Sequence, residues 1–402
     1  MNKLNIRHVI RYIKYAFLGV FIMVIALLAA PYIVSPVYKF AKPEPFSGKY
    51  YCNPYQQMDS SWIIANFHSH SREWCGFTNG NAVCDSVIQV YRQIGYSHIG
   101  ISNYQKITHV RQQDGIASIP VYEHGYNISK RHHLCLGAKK VVWTDFILFQ
   151  TLTHKQYMLN VLRNTTDFLA INHPKFSNGY EESDFSSLSN YDAIEVLNHY
   201  VTSIHHWDSA LSAGYRAVLL ADDDMHHLYD MDETGTNFTV VNTGSIERHD
   251  IINALKAGRH YGVKVKLGPD ESWQVKRERN AALSHPKIID MQGDTLTVQF
   301  NKKVAAIRLK GQNGKMKKSF VDTDSAKYVF ETADTYIRIE MEDSEGNLYL
   351  FNPVVRTDEP QQIKNPLKYT VNIWLTAIKY TATAILLLLI FVLYRRTKKR
   401  KK

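Results

Sequence analysis

The stretch NFHSHSREWCG, residues 66–76, sets His68 and His70 on either side of one serine at the end of the apolar run WIIANF, residues 62–67. In a chain with 18 histidines a bare His-x-His is weak on its own. Its meaning turns on whether other segments supply matching ligands where a fold brings them together. The pattern of strands and helices around it therefore has to be read first.

From residue 62 onward, short apolar runs alternate with longer segments of helical period. Val83, Val87, Val90, Tyr91 and Ile94 recur at helical spacing within 81–94, and Gly95 ends the run. SHIGIS, IPVYE, HLCLG, DFLAIN, AIEVLN and AVLLAD read as strands, with helices expected over 153–164, 204–213 and 247–257. This alternation predicts an α/β domain with a largely parallel sheet, open or closed into a barrel. Beyond residue 285 the period becomes two. TLTVQF, VAAIRLK, KYVFET, YIRIEME and LYLFNPVV, with NG and EGN turns, predict a small all-β, sandwich-like module over 285–357.

In a parallel α/β domain the loops leaving the C-terminal strand ends face one another. Just past those ends lie His68 and His70, then Glu123, His133, His173, and finally Asp224 with His226. Each alone has an ordinary reading: a solvated carboxylate, a polar start to a strand, a turn at Pro174, an acidic loop in ADDDMHH. Their recurrence at one structural position on separate strands does not. Imidazole and carboxylate together suit zinc, manganese or iron, and one carboxylate can bridge two such ions. Arg72 in the first loop and Lys175, two residues after His173, read first as surface charges and second as contacts for a phosphate, should the substrate carry one.

FHSHS, VYEHG, HHLCLG, INHP, DAIEVLN, WDSALSAG, DDDMH and ALKAGRHYG come in the order and at roughly the spacing of the polymerase and histidinol phosphatase (PHP) superfamily. The chain resembles that family over residues 62 to about 265, and YIRIEMEDSEGNLYLFNPVV is similar to the β module that follows the domain in some bacterial members. The resemblance implies a distorted seven-stranded β/α barrel over 50–270 and two or three divalent ions, zinc, manganese or iron. It also implies hydrolysis of a phosphate ester by a metal-activated water, with no side-chain nucleophile. Position by position, His68 and His70 match the first motif and Glu123 the bridging carboxylate. His133 and His173 match the next two histidines, and Asp224 with His226 the late Asp-x-His. Two positions depart: Cys75 stands where the family often has Asp or His, and ISNY puts Tyr104 where Thr-Asp-His is common. Both missing ligands would serve a third ion together with His226, which leaves a two-ion site. Two other classes fit the pattern less well: a catalytically reduced binding or sensing protein of this fold, and an amidohydrolase-type metal hydrolase, which Glu123 as bridging group disfavours.

The ends set the compartment. AFLGVFIMVIALLAAPYIV (16–34) and WLTAIKYTATAILLLLIFVLY (374–394) are each long enough for a membrane helix, which needs about 20 apolar residues. Pro31, just after Ala29 and Ala30, and the length of the first run speak for an uncleaved anchor rather than a signal peptide. The net charge of +11 lies wholly in the tails: 1–14 carry +4 and RRTKKRKK carries +7. It is therefore a topology signal and not a nucleic-acid footprint. The basic tails (1–15 and 395–402) are expected in the cytoplasm. The linkers (35–49 and 358–373) and the domains between them are expected outside it, acting on a phosphorylated small molecule, envelope lipid or glycan. Cys52, Cys75, Cys84 and Cys135 suit an oxidising compartment, with Cys75 and Cys84 the first pair to test.

Overall fold

The computed structural model describes residues 3–76, 79–110, 118–360 and 365–399. A long helix, α1 (Lys3–Val34), leads into two short strands, β1 (Tyr38–Phe40) and β2 (Tyr50–Cys52). The region carrying the histidines follows as β3 (Trp62–Ser69), α2 (Cys84–Gln93), β4 (His98–Ile101), β5 (Val121–His124), β6 (His133–Leu136), α3 (Leu152–Arg163) and β7 (Phe168–Ile171). It continues with β8 (Ala193–Asn198), α4 (Ile204–Ser212), β9 (Val218–Asp222), β10 (Asn237–Asn242), α5 (Arg248–Ala257), β11 (His260–Lys264) and α6 (Trp273–Ala281). The strands of the C-terminal part are β12 (Pro286–Gln292), β13 (Thr295–Lys310), β14 (Met316–Val329), β15 (Tyr336–Glu342), β16 (Leu348–Phe351) and β17 (Val354–Thr357), before β18 (Tyr369–Val371) and α7 (Ile373–Lys399).

The helices form where apolar residues recur at helical spacing. α2 buries Val87, Ile88, Val90 and Tyr91 along one stripe, and α5 stops at Gly258, whose φ of 77° is the left-handed conformation a helix C-terminus favours. Every residue of β5 to β9 is buried. Strands covered on both faces read as continuous apolar runs, so their few charged members stand out.

The sheet is mixed, which corrects the largely parallel expectation. β7, β8 and β9 run parallel, but β6 pairs antiparallel with both β5 and β7. These five strands form one sheet, while β3 and β4 pair parallel in another. Among the described residues these strands are divided between two sheets, which meet at isolated bridges, Tyr104 with Glu123 and Ser69 with Met225. The second sheet runs β12-β13-β15-β16-β11-β10-β3-β4, so the C-terminal strands are hydrogen-bonded into the frame that holds His68 and His70. A buried ion pair reinforces the join: the Arg338 guanidinium on β15 donates to both carboxylate oxygens of Asp208 on α4 at 2.7 and 2.8 Å and lies over the Trp207 ring.

At the chain ends two helical stretches, His8–Val34 and Ile373–Thr397, are long and apolar enough to cross a membrane, and almost nothing in the chain covers them. β1 and β18 pair antiparallel where they emerge, and Lys379 Nζ donates to the Ser35 carbonyl at 2.5 Å.

Candidate metal centre

The ends of β3, β5, β7 and β9 deliver His68, His70, Glu123, His173 and Asp224 to one buried point. Nε2 of His68 and Nε2 of His70 are 3.3 Å apart. Each lies 3.3 Å from Oε2 of Glu123, and they lie 3.1 and 3.2 Å from Oδ1 of Asp224. These are five of the six edges of a tetrahedron, and a regular one of that size has its centre about 2.0 Å from each corner, the usual distance from zinc to a nitrogen or oxygen ligand. Glu123 Oε2 is buried and accepts no hydrogen bond. An anionic oxygen left that way inside a protein is costly unless a cation meets it. The four donors thus fit a divalent ion.

A second group forms on the other oxygen of the same carboxylate. Oε1 of Glu123 lies 2.9 Å from Nδ1 of His132 and 3.3 Å from Nε2 of His173, and Asn172 donates to it at 3.0 Å. The His132 nitrogen is buried without hydrogen-bond geometry to any partner. Two donors converging with no proton shared between them is what ligands of a common ion do. Glu123 therefore splits its oxygens between two donor groups, the layout of a bridging carboxylate.

His132, not His133, occupies this position, which corrects the sequence expectation. In the β5–β6 pairing Glu123 sits opposite Leu134, and residues two apart on a strand share a face, so His132 shares the face of Glu123. His133 lies opposite His124 on the other face, where its Nε2 meets the Tyr180 hydroxyl at 2.8 Å.

Glu195 is the residue that sequence reading missed. On β8 it lies 2.9 Å from Nδ1 of His68 and accepts the His173 backbone N–H at 2.8 Å. The available signal was one carboxylate inside the apolar strand AIEVLN. Asn79 stands 3.3 Å from Nδ1 of His70 in the corresponding role. Two donor residues also hold left-handed backbone, Asp224 at φ 53° and His173 at φ 25°. Strain of this kind persists only where the surroundings enforce it.

The remaining expected residues sit as follows. The His226 ring stacks on His70 at 4.2 Å, with its Nε2 3.5 Å from Asp224. The Tyr104 ring stacks on His70 at 4.7 Å and lies 6.2 Å from His226. Cys75 is exposed, and all four cysteines are free thiols, so the Cys75–Cys84 pairing does not form. Arg72 spends its guanidinium on the Asn81 carbonyl at 2.6 Å, and Lys175 is exposed beside Glu181 and His205. Neither cation is joined to the donor cluster by a hydrogen bond or an ion pair in this structure.

Electrostatics follow from three carboxylates crowding the imidazoles. Burial opposes charge on His68, yet Asp224, Glu123 and Glu195 outweigh it and hold its pKa well above the ordinary value. Burial likewise pushes Glu123 upward, but His132 and His68 outweigh that and keep it ionised, its pKa well below the usual range. Burial, then the charges of Glu123 and Asp224, raise Tyr104 well above an ordinary phenol, so its hydroxyl stays protonated.

No family model matches the chain, and no curated protein matches it. Among solved structures it is similar to a two-domain protein containing a predicted PHP-like metal-dependent phosphoesterase from Bacteroides vulgatus. The identity is 14% and the TM-score 0.41, over 78% of this chain and 98% of that one. A likeness that loose carries no argument; the donor geometry stands without it.

Proposed function

We propose that the chain is a membrane-anchored, metal-dependent phosphoesterase of the PHP type, with its site outside the cytoplasm and both termini inside. The observation that carries the reading is the shared carboxylate: Glu123 places Oε2 beside His68 and His70 in the donor group that Asp224 completes, and Oε1 beside His132 and His173. Two divalent ions held there would supply an activated water and neutralise phosphoryl charge. Glu195 and Asn79 fix the rings of His68 and His70. Tyr104, with its hydroxyl protonated beside the cluster, supplies a hydrogen-bond donor in a role the family gives to a ligand. The membrane reading rests on the two uncovered apolar helices and on basic tails that carry the whole net charge.

The test is metal analysis of the purified full chain, with hydrolysis of a phosphate-ester panel under manganese, zinc and iron. Two ions per chain, and loss of both metal and hydrolysis in His70→Ala and Asp224→Ala, are expected. A wild-type chain that takes up no divalent ion overturns the proposal.

A further inference from the structure

Two loops beside the metal centre are built inside out. Gly125–His132 and Gly137–Thr151 are stitched together by Asp145, 3% exposed, which accepts from the backbone of Tyr126 at 2.9 Å, from Asn127 at 3.0 Å and from Gln150 at 3.2 Å. Ile128 N–H adds a bond to the Ile147 carbonyl at 3.0 Å, and the Tyr126 hydroxyl donates to the Trp143 carbonyl. The polar groups are thus consumed internally. Outward the loops present Tyr126, Ile128, Trp143, Leu148 and Phe149, 43 to 68% exposed, together with the exposed cations Lys130, Lys139 and Lys140. Large apolar side chains exposed together on a polar-braced base mark a contact surface.

The patch is continuous with the end of the first apolar helix. The Tyr32 hydroxyl, in the last turn of α1, accepts from the N–H groups of Leu148 and Phe149 at 3.1 Å and donates to the Phe149 carbonyl. Its ring lies 4.9 Å from Phe149 and 5.1 Å from Phe146. Trp374 opens α7 at the same end and is 81% exposed. Tyrosine and tryptophan at the end of an apolar helix mark the headgroup level of a bilayer. Leu148 and Phe149 are therefore held at that level. From there the patch reaches the metal centre: Trp143 packs edge-on against Trp74 at 6.4 Å, Trp74 donates its indole N–H to the Tyr104 carbonyl at 2.8 Å, and the Tyr104 ring lies on His70.

We infer that the loops Gly125–His132 and Gly137–Thr151 seat in the outer face of the bilayer, and that the substrate is a phosphate ester of a membrane lipid whose apolar tail stays in the membrane. The inference rests on the phosphoesterase reading for its chemistry and on the α1–Tyr32–Phe149 contact for its geometry. The reaction is hydrolysis of a lipid phosphomonoester. The water oxygen forms a bond to phosphorus, the bond from phosphorus to the lipid oxygen breaks, and the water proton passes to that oxygen, leaving inorganic phosphate and a membrane-held alcohol.

The experiment uses the full chain in lipid nanodiscs. With phosphatidylcholine brominated near the top of its acyl chains, part of the tryptophan emission should be quenched, and Trp143→Phe should remove a measurable share of that quenching. Unchanged quenching in Trp143→Phe overturns the seating whether or not the protein is an enzyme. With metal supplied, dioleoyl phosphatidate in the nanodisc should be hydrolysed faster than soluble p-nitrophenyl phosphate. Trp143→Ser with Phe149→Ser should slow the lipid reaction by roughly tenfold, through loss of two interfacial anchors, and leave the soluble reaction unchanged. An equal loss on both substrates, or preference for the soluble ester, overturns the lipid substrate. Hydrolysis of neither ester counts against the phosphoesterase reading and this substrate together, while the quenching result still decides the seating.

Discussion

Glu195 and His68 form a fully buried pair, Oε1 to Nδ1 at 2.9 Å. With a metal ion in place of the proton on Nε2, the proton on Nδ1 directed at this carboxylate would hold the Nε2 lone pair toward the ion beside Glu123 and Asp224. Glu195→Gln keeps the shape and removes the charge. Metal affinity, measured by chelator competition, should fall about 10- to 100-fold, the typical cost of losing such an orienting partner. The unfolding temperature of the metal-free chain should stay close to that of the parent. Unaltered affinity would remove Glu195 from the site.

His132 and His133 make opposite predictions although they are neighbours. His132→Ala takes a donor from Glu123 Oε1, so metal analysis should show the content falling from two ions toward one. His133→Ala should keep both ions and lose the contact with the Tyr180 hydroxyl and the packing against His124, a stability cost of about 2 kcal/mol or more. The reverse pattern would mean that β6 is paired one residue out of register.

The Asp208–Arg338 pair joins α4 to β15. Asp208→Ala leaves the guanidinium, 1% exposed, with Glu340 as its remaining carboxylate partner at 2.6 Å. Removing one member of a buried pair costs about 3 kcal/mol or more. Replacing both, as Asp208→Leu with Arg338→Met, should restore much of that in thermal unfolding of the detergent-solubilised chain. A double variant no more stable than Asp208→Ala would show that the pair is not the coupling.

Acid sensitivity has a distinct source in His260. Burial is the main reason its pKa is lowered from 6.5 to about 4, with Nε2 held 2.7 Å from the Leu219 carbonyl. The native state resists a proton that the unfolded chain accepts. The stabilisation is therefore complete above pH 6.5 and is lost as pH falls from 6.5 toward 4, roughly 3 kcal/mol over that window. His260→Gln retains a donor for Leu219 and cannot titrate. Its stability should vary less with pH between 6.5 and 4, and an unchanged slope in denaturant titrations would reject this assignment.

Much of the frame was legible because apolar spacing reports local structure directly. Helices expected over 153–164, 204–213 and 247–257 occur as Leu152–Arg163, Ile204–Ser212 and Arg248–Ala257. Strand direction was not legible, since HLCLG announces a strand and says nothing about its neighbours. Nor could the sequence choose between His132 and His133. Leu134, Cys135 and Leu136 are all buried, so no alternation marks which face of β6 looks at the site, and a one-residue shift exchanges the faces. Glu195 was hidden by its strand, where a carboxylate among apolar residues reads as an exception until its partner His68 is seen.

The clasp between the ends of the folded region governs how the chain can be made. β2 pairs with β17 through Cys52 and Val355, and β1 pairs with β18. Synthesis delivers β2 roughly 300 residues before the strand that completes it. Contacts of such separation slow folding, and until they form the waiting strands present open edges. A nascent chain halted before Val354 therefore holds most of its helices and all of the residues around Glu123, yet cannot close. Completion of the fold therefore waits on the last strands to cross, which directly precede the second apolar helix.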